Sequence, residues 1–296
     1  MSAITASMVK ELRERTGAGM MECKGALVET AGDLEKAIDL LRVKGMAKAD
    51  KKAGRTAAEG TIAIVISDDK KRAAIVEANC ETDFVGKSPE FNEFAAGVAQ
   101  AVLDSNPASM EDLMAAKLAD GTVVDERRRA LISKIGENMS INRFELIESS
   151  GAIGTYRHGD KIGVVVNLDS GTEELGKDLA MHVAASKPLA VDASGVAVET
   201  IDRERAIAQA KADESGKPAN IVEKMVEGAI RKFMEDVTLL SQPFVKNPDQ
   251  TVAQLLKANN ATVNSFIRLE VGEGVVKEVT DFAAEVAATA AAMQSK

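Results

Sequence analysis

The run TIAIVIS at residues 61–67 and the run AAIVEAN at residues 73–79 decide the class of fold. Both are rich in β-branched residues, and the charged segment DDKKR at residues 68–72 separates them. Short β-branched runs on either side of a polar turn are typical of a β-hairpin. The sequence therefore predicts an antiparallel pair of strands here.

A helix is predicted to follow this hairpin. Ser88 is a natural N-cap, Pro89 suits the first helical position, and apolar residues recur at helical spacing over residues 91–102. The next predicted elements are helices near 110–119 and 124–138 and a strand at about 141–148. The sequence thus predicts a small antiparallel sheet with helices packed on it.

The same order of elements recurs after Gly151. Two further strands flank the turn at residues 158–160, and a helix containing Leu175 and Leu179 follows them. The predicted strands cover 154–157, 162–168 and 263–271, with a helix at 252–258 before the last of them. We interpret this recurrence as a structural duplication of an α+β unit.

Helices are predicted at both ends of the chain and within the second unit. Residues 1–45 read as three short helices ending at Gly17, Gly32 and Gly45, a bundle of the size of ubiquitin-associated modules. Residues 46–60 are basic and read as a linker, helical in part. Residues 198–237 form a helical hairpin broken at 215–218, and a last helix covers 280–293.

These patterns predict an α+β protein built from four parts. The expected divisions are a UBA-like N-terminal domain with its linker at 1–56, a first core unit at 57–149, a second core unit at 150–274, and a C-terminal helical module at 275–296. The helical hairpin at about 198–237 is predicted to interrupt the second core unit as an insertion.

Composition limits the functions to be considered. The 296 residues carry a net charge of −9 at pH 7, with no Trp and one Tyr. Because phosphate binding relies on Lys and Arg, and base stacking relies on aromatic rings, this balance disfavours an RNA-binding factor. No apolar run approaches the roughly 20 residues of a membrane span, and the first residues lack a secretory signal pattern. We expect a cytoplasmic protein without direct nucleic-acid or membrane binding.

Few residues could carry catalysis. Cys23 and Cys80 are too few for a disulfide framework or a zinc site, and buried reduced thiols are the favoured interpretation. His182 lies on the apolar side of its helix, which favours a core histidine, and His158 lies at a hairpin tip. A nucleophilic Cys80 paired with one of these histidines stays open as an alternative. Without a GxxxxGK[ST] or GxGxxG loop, no bound nucleotide, cofactor, metal or enzymatic activity is expected.

The segment Thr82-Asp83-Phe84-Val85 stands out because it places an aromatic residue in a connector between a strand and a capped helix. Such connectors are normally polar. From the residues alone, the favoured interpretation is that Phe84 closes the top of the core. If the ring were exposed, it would be an anchor for a pocket in a partner protein.

Several segments in the same order resemble the bacterial elongation factor Ts family. They are LRERTGAGMMECK at 12–24, NCETDFV at 79–85, KIGEN at 134–138, MHVAASKP at 181–188, KMVEG at 224–228 and QPFV at 242–245. The resemblance covers the whole chain, and several motifs at matching spacing are more specific than any one. Asp160, after His158-Gly159, departs from the small or uncharged residue expected there.

The resemblance implies a non-enzymatic exchange factor for elongation factor Tu. Asp83 and Phe84, with Thr82 and Val85, would press between helices of the Tu nucleotide domain and so weaken the hold on magnesium and GDP. Ile135, Gly136, Glu137 and Asn138 would shape the contact surface, and His158 would contact another part of Tu. The N-terminal bundle and the last helix would dock on the nucleotide domain, and the helical hairpin would join two copies of the chain.

The residues also permit an adaptor that binds some other protein through its N-terminal bundle. That alternative would leave the segment containing Asp83 and Phe84 without a function. It is distinguished by the Phe84→Ala substitution, which in an adaptor would change only stability.

Overall fold

A computed structural model describes residues 4–275, and its first three helices form a small bundle. These are α1 (Ala6–Thr16), α2 (Met20–Glu29) and α3 (Leu34–Lys52). Thr5 and Asp33 cap α1 and α3 by accepting hydrogen bonds from backbone amides, which the helix itself leaves unpaired. The bundle closes around Leu12, Cys23 and Leu27, which are fully buried.

The helix α3 is longer than the sequence predicted. Its predicted end at Gly45 is wrong, because residues 46–52 are mostly good helix formers and continue to Lys52. A Cβ atom on Gly45 would lie 3.1 Å from the Ser133 hydroxyl, so the glycine instead permits close packing on a later helix, α7 (Val124–Ile135). The predicted linker is therefore helical in its first half, and α3 joins the bundle to the core.

The first core unit contains the predicted hairpin. Strands β1 (Glu59–Ile66), β2 (Arg72–Cys80) and β3 (Met139–Glu148) form an antiparallel sheet in the order β1-β2-β3. Its helices are α4 (Asp83–Gly86), α5 (Pro89–Ser105), α6 (Met110–Ala115) and α7. The one-turn α4 was not predicted, and α6 and α7 are shorter than predicted. Gly136, at φ 90°, ends α7 three residues before β3.

The second core unit repeats the plan with an insertion. Strands β4 (Ala152–His158), β5 (Ile162–Ser170) and β8 (Thr262–Glu270) form the second antiparallel sheet, in the order β4-β5-β8. The other elements are α8 (Glu173–Ser186), α9 (Val198–Asp213), α10 (Ala219–Val237), a short hairpin of β6 (Pro243–Phe244) and β7 (Asn247–Thr251), and α11 (Val252–Ala258). The helical hairpin is confirmed as α9 and α10, whereas β6 and β7 were not predicted.

The two sheets pack face to face. Ile62, Ile75 and Ile147 of the first sheet share a buried cluster with Val165 and Leu269 of the second. The opposite face of the first sheet is covered by α5 and that of the second by α8. The core therefore has four layers, helix–sheet–sheet–helix, and each sheet packs against another layer on both of its faces.

This architecture confirms the predicted α+β class. No helix in residues 4–275 is long and apolar enough to cross a membrane. The predicted helix at 280–293 lies outside the described residues, as does the 275–296 module apart from Val275.

Candidate partner interface

Phe84 projects from the molecule. Its side chain is 84% exposed, the largest exposed fraction among the large hydrophobic residues that the structure describes. The favoured interpretation from sequence, a ring closing the core, is therefore wrong. An exposed phenyl ring loses the stabilisation that burial would give it, which makes it a candidate contact for another protein.

The helix that carries Phe84 is anchored on both sides of the ring. Thr82 caps α4 by accepting a hydrogen bond from the Val85 amide at 3.4 Å, and the Val85 side chain packs in the first core unit. Gly86 lies so close to β1 that a Cβ atom would be 3.1 Å from the Gly60 carbonyl oxygen. The side-chain NH2 group of Asn92 donates to the Gly86 carbonyl at 2.9 Å. The exposed ring is thus held on a fixed base.

Asp83 is half-buried beside the ring and is charged at neutral pH. Its carboxylate accepts a hydrogen bond from Lys87 at 2.7 Å, and this bond and the Lys87 charge lower the pKa of Asp83. An acid next to an exposed aromatic ring offers a partner both an apolar and a hydrogen-bonding contact.

Residues 135–138 lie against the start of α4, although they are distant from it in sequence. Glu137 accepts hydrogen bonds from the Thr82 amide at 3.0 Å and the Thr82 hydroxyl at 2.7 Å. The Asn138 amide donates to Glu81 at 2.5 Å, and Lys52 donates to the Gly136 carbonyl. Asn138 itself is buried, whereas Ile135, Gly136 and Glu137 are half-buried.

His158 is exposed at the end of β4, on the turn that faces β1. Its Nδ1 lies 3.1 Å from the Tyr156 hydroxyl. The unexpected Asp160 pairs with Arg157 at 3.4 Å, and its backbone carbonyl accepts a hydrogen bond from the Ile62 amide at 2.8 Å. The Asp160 charge is therefore partly compensated, and this turn is fastened to the first sheet.

The His158 turn and α4 are electrostatic neighbours. The pKa of Lys87 is raised chiefly by its hydrogen bond to Asp83 and further by the charges of Asp160 and Glu59. Lys161, which follows the turn, in turn contributes to lowering the pKa of Asp83. The fold thus brings together the Phe84 helix, residues 135–138 and the His158 turn.

The burial of Cys80 argues against the alternative in which it is a nucleophile paired with a histidine. Cys80 is fully buried, its Sγ donates to the Thr82 carbonyl, and burial raises the pKa of the thiol to about 12. Almost no thiolate exists at neutral pH under these conditions. His182 is also fully buried and bonded to Gln242 and Val245, which confirms the core interpretation. In the described part of the chain, no cluster of three or more potential metal ligands occurs.

Sequence reasoning missed an ion pair beside Asn138 and the exposure of two methionines on α2. Arg55 and Glu81 form an ion pair at 2.8 Å next to Asn138. No local sequence pattern predicts this contact, because the two residues are far apart in the chain. Met20 and Met21 on α2 are both exposed, at 57% and 76%. Adjacent residues of a helix point in different directions, so two neighbouring methionines were a signal that at least one would be exposed.

An exposed aromatic ring on an anchored helix is a surface suited to binding another protein. The family model described as Elongation factor TS matches residues 81–273. Elongation factor Ts of Hydrogenovibrio crunogenus is 59% identical over 292 residues, covering 99% of each chain. The proteins of that name from Methylococcus capsulatus and Thioalkalivibrio sulfidiphilus are 58% and 57% identical, covering 97% of this chain and 98% of their own.

The chain belongs to the elongation factor Ts family. It is therefore a nucleotide exchange factor for elongation factor Tu in translation elongation, and not an enzyme. Its family membership also makes it a bacterial cytoplasmic protein.

Proposed function

We propose that the protein releases GDP from elongation factor Tu by pressing the Phe84 helix between helices of the Tu nucleotide domain. The ring acts as a wedge, and Asp83 takes the polar contacts beside it. Displacement of the groups that support the magnesium ion weakens the hold on GDP, so that GTP can enter. The protein stays bound until GTP binds.

The observation that carries this proposal is the exposure of Phe84 on an anchored base. A ring on a loose loop would fold aside when pushed against a packed surface. On α4 it is supported by the buried Val85 and by the contact of Gly86 with Gly60. A rigid wedge can shift a packed seam because protein interiors are close-packed and rearrange in discrete steps.

Nucleotide exchange by this route needs only that the protein bind the nucleotide-free and the GDP-bound forms of Tu with different affinities. If the protein binds nucleotide-free Tu more tightly than GDP-bound Tu, then by linkage GDP weakens its binding by the same factor. Neither a nucleotide loop nor a catalytic group is required on this chain, and no cofactor, metal, direct nucleotide, nucleic-acid or membrane binding is proposed.

We propose that the predicted parts within the described residues have separate roles in binding. The 1–56 region docks on the nucleotide domain through the exposed methionines of α2. The core units, 57–149 and 150–274, present the Phe84 helix and His158 on a surface that residues 135–138 help to shape. The hairpin at 198–237 joins two copies through its exposed apolar side chains, which are Val198, Ile207, Ile221 and Met225.

The first test compares this protein with its Phe84→Ala variant. Stopped-flow release of a fluorescent GDP analogue from the matching elongation factor Tu is measured with each. Because truncation of an anchoring aromatic residue commonly costs 2 kcal/mol or more, we expect the variant to be slower by roughly 30-fold. Its free energy of unfolding should change by less than about 0.5 kcal/mol, since the ring is exposed.

Leu189→Ala provides a matched control, because Leu189 is another large exposed hydrophobic residue, at the base of the helical hairpin. This variant should exchange GDP at the wild-type rate. Equal loss of activity in both variants would refute a specific wedge. A folded wild-type protein that does not accelerate release would refute the proposed function and favour an adaptor.

A further inference from the structure

The Phe84 helix cannot hold its own orientation. It has only four residues, and helix nucleation fixes several backbone dihedrals for each hydrogen bond gained. Val85 and Gly86 anchor its far end, as described above. The direction of the ring therefore depends also on what fixes the residue at which the helix starts, Thr82.

One carboxylate fixes Thr82. The two oxygens of Glu137 accept from the Thr82 amide at 3.0 Å and from its hydroxyl at 2.7 Å. Because the hydroxyl proton is given to Glu137, its oxygen is free to accept the Val85 amide and cap the helix. Both Glu137 oxygens thus point inward to a single residue 55 positions away in sequence.

Glu137 is itself held by its neighbours. Gly136 ends α7 in the left-handed region and its carbonyl accepts from Lys52. Asn138 donates from its backbone to Glu81 at 2.5 Å and from its side chain to the Arg55 carbonyl at 2.6 Å. The end of α3, the end of α7 and the start of α4 therefore form one hydrogen-bonded unit.

From this geometry we infer that Glu137 is a positioning residue for exchange, which orients Phe84 through Thr82 and does not itself touch Tu. The inference rests on the proposed function and deepens it, since the family resemblance implied only that Glu137 helps to shape the contact surface. Charge-assisted hydrogen bonds to both polar groups of one residue are suited to such a role.

A positioning role has a kinetic signature. If other surfaces dock the two proteins, loss of the Glu137 contacts lowers the fraction of molecules with a correctly directed ring, which slows GDP release from the docked complex. We expect Glu137→Ala to lower the maximal rate of release about tenfold while the half-saturating concentration changes by less than about twofold.

Glu137→Gln separates positioning from direct charge contact. A glutamine oxygen can accept the Thr82 amide while its NH2 group donates to the Thr82 hydroxyl oxygen, so the hydrogen bonds are rebuilt without the charge. This variant should release GDP at close to the wild-type rate. Thr82→Val should slow GDP release about as much as Glu137→Ala does. The variant that combines these two substitutions should release GDP faster than the product of the two separate losses predicts, because both substitutions remove the same contact.

The experiment measures GDP release as a function of exchange-factor concentration for the wild type, Phe84→Ala and these variants. Amide hydrogen exchange at residues 82–87 in the free proteins gives a readout independent of Tu. This exchange should be faster than in the wild type in Glu137→Ala and unchanged in Glu137→Gln. Thermal unfolding verifies that each variant is folded.

Three results would overturn the inference: an unchanged rate in Glu137→Ala, a Glu137→Gln variant as slow as Glu137→Ala, or an effect confined to the half-saturating concentration. The last two would mean that the carboxylate touches Tu directly. Failure of the wild type to accelerate release would instead refute the proposed function, so the two failures are distinguishable.

Discussion

At the scale of single residues, His182 illustrates how burial selects one protonation state. The Val245 amide donates to its Nδ1 at 3.1 Å, so that nitrogen carries no proton. Its Nε2 then donates to the Gln242 side-chain oxygen at 2.9 Å. Both ring nitrogens are satisfied only in the neutral form, and burial lowers the pKa of His182 below 6.5.

This state predicts a loss of stability in mild acid. Because the native pKa lies below the unfolded one, the unfolded chain binds more protons, and stability falls as pH drops from about 6.5 through the native pKa. Urea unfolding at about pH 7.5 and about pH 5.5 should therefore show a smaller pH effect in His182→Gln than in the wild type. An equal pH effect in both proteins would contradict a role for this histidine.

Phe84 is the residue for which the sequence pattern was least informative. An aromatic residue in a connector can be buried over the core or exposed for contact with a partner protein, and the local sequence is the same in both cases. The packing of Val85 and Gly86 beneath it, which the local sequence does not show, turns the ring outward. The roles of Asp83, Phe84 and His158 stay predictions until exchange is measured.

At the scale of elements, the crossing of β4 over α8 requires two glycines. A Cβ atom on Gly154 would lie 1.9 Å from the Gly176 carbonyl carbon, and one on Gly176 would lie 2.9 Å from the Gly154 Cα. The strand and the helix therefore meet backbone to backbone, at a separation that no side chain permits.

Gly154→Ala should consequently destabilise the protein by more than about 3 kcal/mol in denaturant unfolding, because the strand or the helix has to move. Gly228→Ala is the matched control. Gly228 lies inside α10 with no atom within 4 Å of an added Cβ, so alanine there should stabilise by about 0.5–1 kcal/mol. Similar effects in the two variants would contradict the close crossing.

At the scale of the whole molecule, the helical hairpin stands apart from the layered core. The contacts between α9 and α10 form their own small cluster of Ala208, Ala212, Val222 and Val226. Its base is fastened where the Leu189 amide donates to the Val237 carbonyl at 2.8 Å and the Leu239 amide to the Ala190 carbonyl at 2.9 Å. The hairpin can therefore serve contacts between molecules without supporting the core.

Self-association through this hairpin is tested with charge on its exposed apolar face. Ile221 and Met225 are four residues apart on α10 and share that face. We expect Ile221→Glu to lower the sedimentation coefficient at high protein concentration without changing thermal stability. Lys224→Glu, an exposed charge change on the same helix, is the control and should sediment as the wild type does. A wild type that sediments as a monomer at all concentrations would refute the proposal.

The sequence by itself determined the longer helices, the six strands of the two main sheets and the family, because caps, periodicity and turn residues are local signals and the motifs are contiguous. Ser88 and the run at 61–67 did not need the rest of the chain to be interpreted. Only the tertiary structure decided the face-to-face packing of the sheets, the exposure of Phe84 and the hydrogen bonding of Thr82 to Glu137. These depend on contacts between residues far apart in sequence, whose free energy appears only once the intervening chain has folded and brought them together.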